Sequence, residues 1–99
     1  MGKGEPNGNF FRVSHRVFES EKFQSLKPGA KILYITFCHL RNRFGDKNGI
    51  FYRTDKDLAI DSGLAIGSVW TAKKELAEMG FVRYKKGGRW NASYYQIVD

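Results

Sequence analysis

The run Asp55-Lys-Asp-Leu-Ala-Ile-Asp-Ser-Gly63, Leu64-Ala65, Ile66-Gly-Ser-Val-Trp-Thr-Ala-Lys-Lys-Glu-Leu-Ala-Glu-Met79, Gly80 decides the fold. Gly63 and Gly80 sit where a helix needs a left-handed residue just past its end, so the run divides into two helices and a tight turn. Val69, Ala72, Leu76 and Met79 recur at spacings of three, four and three, which puts them on one face of the second helix. Ser68, Trp70, Thr71, Lys73 and Lys74 are left for its outer face. A short helix, a turn closed by glycine and a second helix with a polar, basic and aromatic exterior make a helix-turn-helix pattern.

Working outward, Phe81-Val-Arg-Tyr-Lys-Lys-Gly-Gly-Arg-Trp-Asn-Ala-Ser-Tyr-Tyr-Gln-Ile-Val98 reads as strand, Gly-Gly turn and strand. Upstream, Pro28 suits the first position of a helix, where its missing N–H costs nothing. That helix should run to about Arg43. Ala30, Leu33, Phe37, Leu40 and Phe44 form its core stripe, widened by Ile32, Tyr34, Ile35 and Cys38, and Arg41 and Arg43 complement the dipole at its end. Asn48-Gly49 signals a turn before a short strand, Ile50-Phe-Tyr52. Thr54 is the expected N-cap of a helix over Asp55–Ser62, with Asp55 and Asp57 favouring its positive end and Leu58 and Ala59 facing the core. Phe10-Phe-Arg-Val13 is expected to pair at a sheet edge. Glu19 to Leu26 is expected to make a turn of helix, with Phe18, Phe23 and Leu26 inward. Residues 1–9 are read as a flexible tail and 10–99 as one domain. The fold class is α+β: a winged helix-turn-helix, with three main helices, a small antiparallel sheet and a C-terminal β-hairpin wing.

Composition limits the function. Ninety-nine residues with 41% apolar content support one small core. Seventeen basic residues against ten acidic ones leave a formal charge of +7, which suits a polyanionic partner. The lone Cys38 rules out an internal disulfide and reads as a small buried residue. There is no signal-like start and no apolar run long enough to cross a membrane, so a cytoplasmic protein is expected, nucleoid- or plasmid-associated if it binds DNA. His15 and His39 have no Cys or carboxylate at metal-ligand spacing, and neither a phosphate-binding Gly-x-x-x-x-Gly-Lys loop nor a Gly-x-Ser-x-Gly turn occurs. Asp55, Asp57 and Asp61 read as cap and surface. The expectation is a non-enzyme without cofactor, metal or small-molecule substrate.

From Phe10 to Val98 the chain resembles the winged-helix domain at the N-terminus of plasmid replication initiators and phage replisome-organiser proteins. Phe11-Arg-Val-Ser14, Val17-Phe18, Phe23, Leu26, Ala30-Lys31, Leu33-Tyr34, Asn42-Arg43, Gly49-Ile-Phe51, Leu58-Ala59, Val69, Lys74-Glu-Leu76, Gly80-Phe-Val82 and Tyr94-Tyr95 carry the resemblance. The Lys-Glu-Leu and Gly-Phe-Val segments are common to many winged helices, transcription regulators included. The Phe-rich lead and Ala-Lys-Ile-Leu-Tyr point more to the replication group. Such initiators usually carry a further domain after the wing, where this chain stops.

The resemblance implies double-stranded DNA as partner, with the second helix entering the major groove N-terminal end first. The groove-facing positions are then Ile66, Gly67, Ser68, Trp70, Thr71 and Lys74, with Lys73 a further lysine for DNA. Gly67 and Ser68 suit a phosphate, Thr71 a thymine methyl or base edge, and Lys74 a guanine or phosphate. The wing adds Arg83, Lys85, Lys86 and Arg89. Recognition helix and wing hold six basic residues against Glu75 and Glu78, a net of +4, and both glutamates are expected to point away from DNA. Two residues stay open. Trp70 flanks the core stripe, and packs on the first helix or faces DNA or a second subunit. Trp90 packs across the hairpin against Tyr84 or wedges into a minor groove, with packing favoured. A repeated or palindromic target would admit a homodimer. A protein-interaction module built on Trp70, Trp90 and the Phe10 segment is the alternative of a different class.

Overall fold

The computed structural model describes residues 10–86 and 92–98. Its elements run α1 His15–Phe18, α2 Glu21–Gln24, α3 Pro28–Phe44, β1 Phe51–Thr54, α4 Asp55–Ser62, α5 Ile66–Glu78, β2 Val82–Lys86 and β3 Ala92–Ile97. The strands form one antiparallel sheet in the order β1-β3-β2.

α3 is the centre of the domain. Pro28 starts it, and Ala30, Leu33, Tyr34, Phe37, Cys38 and Leu40 are buried along it. Val69, Ala72 and Leu76 of α5 are buried with them, and Met79 packs at the cluster's margin, so the expected face of α5 is the real one. Aromatic rings bind the layers together. Phe23, Tyr34 and Phe81 meet edge-to-face at centroid distances of 5.4–5.9 Å, and Phe37, Phe51 and Tyr95 form a second group at 4.9–5.9 Å.

The turn between α4 and α5 follows the glycine logic. Gly63 has φ 80° and closes α4 through an N–H bond to the Ala59 carbonyl. Gly80 has φ 83°; its N–H reaches the Ala77 carbonyl while the Phe81 N–H reaches Leu76, the paired bonds of a Schellman ending. The Thr54 hydroxyl accepts from the Asp57 N–H at 3.0 Å, capping α4 as expected.

Three expectations need correction, and in addition Ile32, expected to widen the core stripe, is exposed. Phe10-Phe-Arg-Val13 is not a strand; Phe11 and Val13 pack on the core as single side chains, and the Phe11 ring meets His39 at 5.3 Å. Glu19 to Leu26 does hold the expected turn of helix, α2, and Ser20 sets its start. The Ser20 hydroxyl donates to the Val17 carbonyl and accepts from the Phe23 N–H, which ends α1 and starts α2. Phe23 and Leu26 are buried, but Phe18 lies on the far side of that break and is exposed. Phe44, in the last turn of α3, is also exposed, with the Arg53 guanidinium 5.4 Å from its ring.

Candidate nucleic-acid interface

α5 begins at Ile66, and Ala65 before it supplies no side-chain cap. Its first-turn N–H groups have no acceptor inside the helix, and Ile66, Gly67 and Ser68 around them are exposed. Such a helix start is suited to an anion. Trp70, Thr71 and Lys74 are exposed further along, so all six positions expected to face a groove lie on the solvent side of α5. The Thr71 hydroxyl donates to the Gly67 carbonyl at 3.1 Å, leaving its methyl and its oxygen lone pairs for a partner. Gly67 is helical, and a Cβ built on it meets nothing within 4 Å. Packing within the domain gives no reason for a glycine there.

Lys73 departs from expectation. Only 9% of it is exposed. Its ammonium donates to Asp55 Oδ1 and, at 3.1 Å, to the Tyr95 hydroxyl, and it lies 4.9 Å from the Tyr84 ring centroid and 5.6 Å from that of Tyr95. Lys73 therefore belongs to the joint between α5, α4 and the sheet, and is withdrawn from the DNA-facing set. The helix wheel explains the error: position 73 flanks the apolar stripe next to Val69, and a lysine stem can lie along apolar surface while its head finds a polar partner. Burial pulls the Lys73 pKa down, but the bonds to Asp55 and Tyr95 and their charges outweigh it, so the pKa ends above its usual 10.5. Burial lifts the Tyr95 hydroxyl above its usual 10.0, only partly offset by Lys73.

The other Asp55 oxygen holds Trp70. The indole N–H donates to Asp55 Oδ2 at 2.9 Å, and the tryptophan is 56% exposed. Of the two readings left open, the structure selects the exposed one: the ring is presented to solvent and tethered at its nitrogen. One carboxylate in the first turn of α4 thus fixes an exposed aromatic and a buried cation of α5. Sequence reasoning saw in Asp55 only a cap and surface residue favouring the helix dipole. Nothing local signals bonds to residues 15 and 18 positions away.

Around this core, an open groove of about 480 Å³ separates the start of α3 from α5, bordered by Lys27, Gly29, Gly67, Ser68, Thr71 and Glu75. Glu75 does not stand free there: its carboxylate accepts from the Lys27 N–H at 3.0 Å, at the start of α3. On the wing, Arg83, Lys85 and Lys86 are exposed. Arg89, Trp90 and the Gly87-Gly88 turn lie outside the described residues. Among the described residues no group of three or more His, Cys, Asp and Glu side chains is placed to hold a metal ion, and no helix is long and apolar enough to cross a membrane.

No model of a known protein family matches the chain, and no curated protein matches it. Solved structures do match, among them one described as the "N-Terminal domain of DNA binding protein" and one as the "Structure of Rep-DNA complex". Each superimposes with a TM-score of 0.67 over 92% of this chain and 75% of the other, at 21% identity. The likeness establishes the fold: a winged helix, with α4 and α5 as its helix-turn-helix and β2 and β3 as the arms of its wing.

Proposed function

We propose that the chain binds double-stranded DNA sequence-specifically, with the start of α5 in the major groove and the basic wing on the flanking backbone, in replication initiation of a plasmid or phage. The observation that carries this reading is the solvent-facing row Ile66, Gly67, Ser68, Trp70, Thr71 and Lys74 at an uncapped helix start. The row mixes the groups that read DNA. Backbone N–H groups and Ser68 suit a phosphate, the Thr71 methyl suits thymine, and Lys74 suits guanine or a phosphate. Gly67 lets the backbone come close to the duplex. Trp70, fixed by Asp55, enters contact with little rotamer entropy left to lose. The fold shared with a protein solved in a Rep–DNA complex supports the replication role over transcription control. Cytoplasmic location, at a nucleoid or plasmid, accompanies this reading, and a repeated or palindromic site would bring two copies together.

The test is the salt dependence of duplex affinity. With Lys73 withdrawn, the exposed cations of α5 and the described wing are Lys74, Arg83, Lys85 and Lys86. Four neutralised phosphates give a log–log slope of about −3.6, and Arg89 would take it to about −4.5. Two copies on one site would approach twice that. A slope near zero overturns the reading and leaves a protein-interaction module.

A further inference from the structure

The sheet has a second face. Strand alternation sends Phe51, Tyr95 and Tyr84 toward the core and their neighbours Tyr52, Tyr94 and Lys85 to the opposite side, in one register row across β1, β3 and β2. Arg83 and Gln96 form the next row on that side. Tyr52 is 63% exposed, and its ring centroid lies 5.7 Å from that of Tyr94 at an interplanar angle of 60°. Lys85 and Arg83 are exposed, while Gln96 donates to the Asn48 carbonyl at 3.1 Å. Neither row contains an acidic residue. Asp46, in the loop that Gln96 reaches, directs its carboxylate to the N–H groups of Asn48 and Ile50. An open groove of about 810 Å³ follows β2 beside this face, with Arg83, Lys85, Tyr94 and Gln96 on its walls.

We propose that this face binds a single-stranded polynucleotide, its bases stacking on Tyr52 and Tyr94 and its phosphates lying against Lys85 and Arg83. Two aromatic rings beside two cations, in strand rows without acidic residues, match the two halves of a nucleotide. Paired bases in a duplex are stacked on each other and offer no free ring face, whereas unpaired bases do. The face is distinct from the exposed side of α5, and only the wing cations Arg83 and Lys85 serve both. The proposal does not require α5 to bind duplex.

The test uses the full chain and a fluorescent oligothymidylate of about twelve nucleotides, within the usual site sizes, beside an abasic strand of equal length. Each stacked base is worth roughly five- to 150-fold, so the abasic strand should bind at least about ten-fold more weakly. Tyr52→Ala with Tyr94→Ala should remove that difference and leave duplex affinity unchanged, while Tyr52→Phe with Tyr94→Phe should retain it, since phenylalanine also stacks. Oligouridylate in place of oligothymidylate tells an RNA partner from a DNA partner. Equal binding of abasic and thymidylate strands by the wild type would overturn the proposal and leave only a charged surface. Loss of the preference in the phenylalanine pair would overturn it too. Both measurements stand even if the alanine pair fails to fold. Loss of duplex affinity in Lys74→Ala, with the thymidylate preference intact, would separate the two sites.

Discussion

Lys73 and Lys74 are neighbours with opposite fates, and exchanging each in turn tests the whole arrangement. Lys73→Met keeps an unbranched stem and removes the ammonium. Two hydrogen bonds are lost, one to the Asp55 carboxylate and one to the Tyr95 hydroxyl, together with the contacts to two rings. Breaking a fully buried ion pair costs roughly 3–5 kcal/mol. The Asp55 side chain is 32% exposed and can be rehydrated, and the methionine stem stays packed, so the expected loss is about 1–3 kcal/mol. At about 4–8 °C per kcal/mol for a domain of this size, the melting temperature should fall by about 5–20 °C. Below that transition, the salt slope of duplex binding should not change, because Lys73 faces no phosphate. Lys74→Ala should do the reverse. Its stability should stay within about 0.5 kcal/mol of wild type, while duplex affinity falls by roughly 1–3 kcal/mol if Lys74 reads a base, or the slope loses about one unit if it meets a phosphate. Thermal melts followed by circular dichroism, with affinity measured at several salt concentrations on both proteins, give the answer. A Lys73→Met protein that melts within a degree or two of wild type and loses a unit of slope would refute the assignment.

Leu76→Ala, at a fully buried position where α5 meets α3, should cost roughly 2–5 kcal/mol of a total of about 5–15 kcal/mol, and a denaturant melt with an unchanged midpoint would show that α5 packs by another face. Gly67→Ala should stabilise the helix by up to about 1 kcal/mol yet weaken duplex binding, whereas unchanged affinity would mean that the backbone does not approach DNA there. Lys73 and Tyr95 both hold their protons more tightly in the folded state. The stability they contribute is therefore complete below pH 10.0 and is lost as pH rises past 10.5 and through their raised values. The melting temperature of wild type should drop across that alkaline range more steeply than that of Tyr95→Phe, and parallel curves would remove the coupling.

The helices and the hairpin were legible because their signals are local. A stripe at helical spacing, a threonine cap and two left-handed glycines each act within a few residues of themselves, and α4 and α5 followed within a residue of expectation. What escaped was set by distance in the chain. The aromatic richness of Phe10–Val13 resembles a strand, but pairing needs a partner edge, and Phe11 and Val13 pack on the core instead, Phe11 against His39 of α3. Phe18 was expected inward with Phe23, yet Ser20 bonds back to Val17 and caps α2 between them, and Phe18 is left exposed. Lys73 illustrates the same limit at the candidate site: solvated lysine and buried, paired lysine share one sequence, and only the position of Asp55 and Tyr95 tells them apart. Tyr52 and Tyr94 align only once the strand order places β3 between β1 and β2.

Under the proposed function, the tether at Asp55 also constrains how this domain could acquire a new target. A recognition helix is commonly treated as a removable cassette whose outer residues can be exchanged freely. In α5 the exposed Trp70 and the buried Lys73 answer to the same carboxylate on the preceding helix. A graft that changes Lys73 leaves the acid without its counter-charge, and one that changes Trp70 leaves one of its oxygens without a donor, so altered specificity and altered robustness would be inherited together. Retargeting by variation at Ile66, Gly67, Ser68, Thr71 and Lys74 avoids that linkage. A more radical graft would have to carry Asp55 with it, making the exchangeable unit the pair of helices rather than the second one alone.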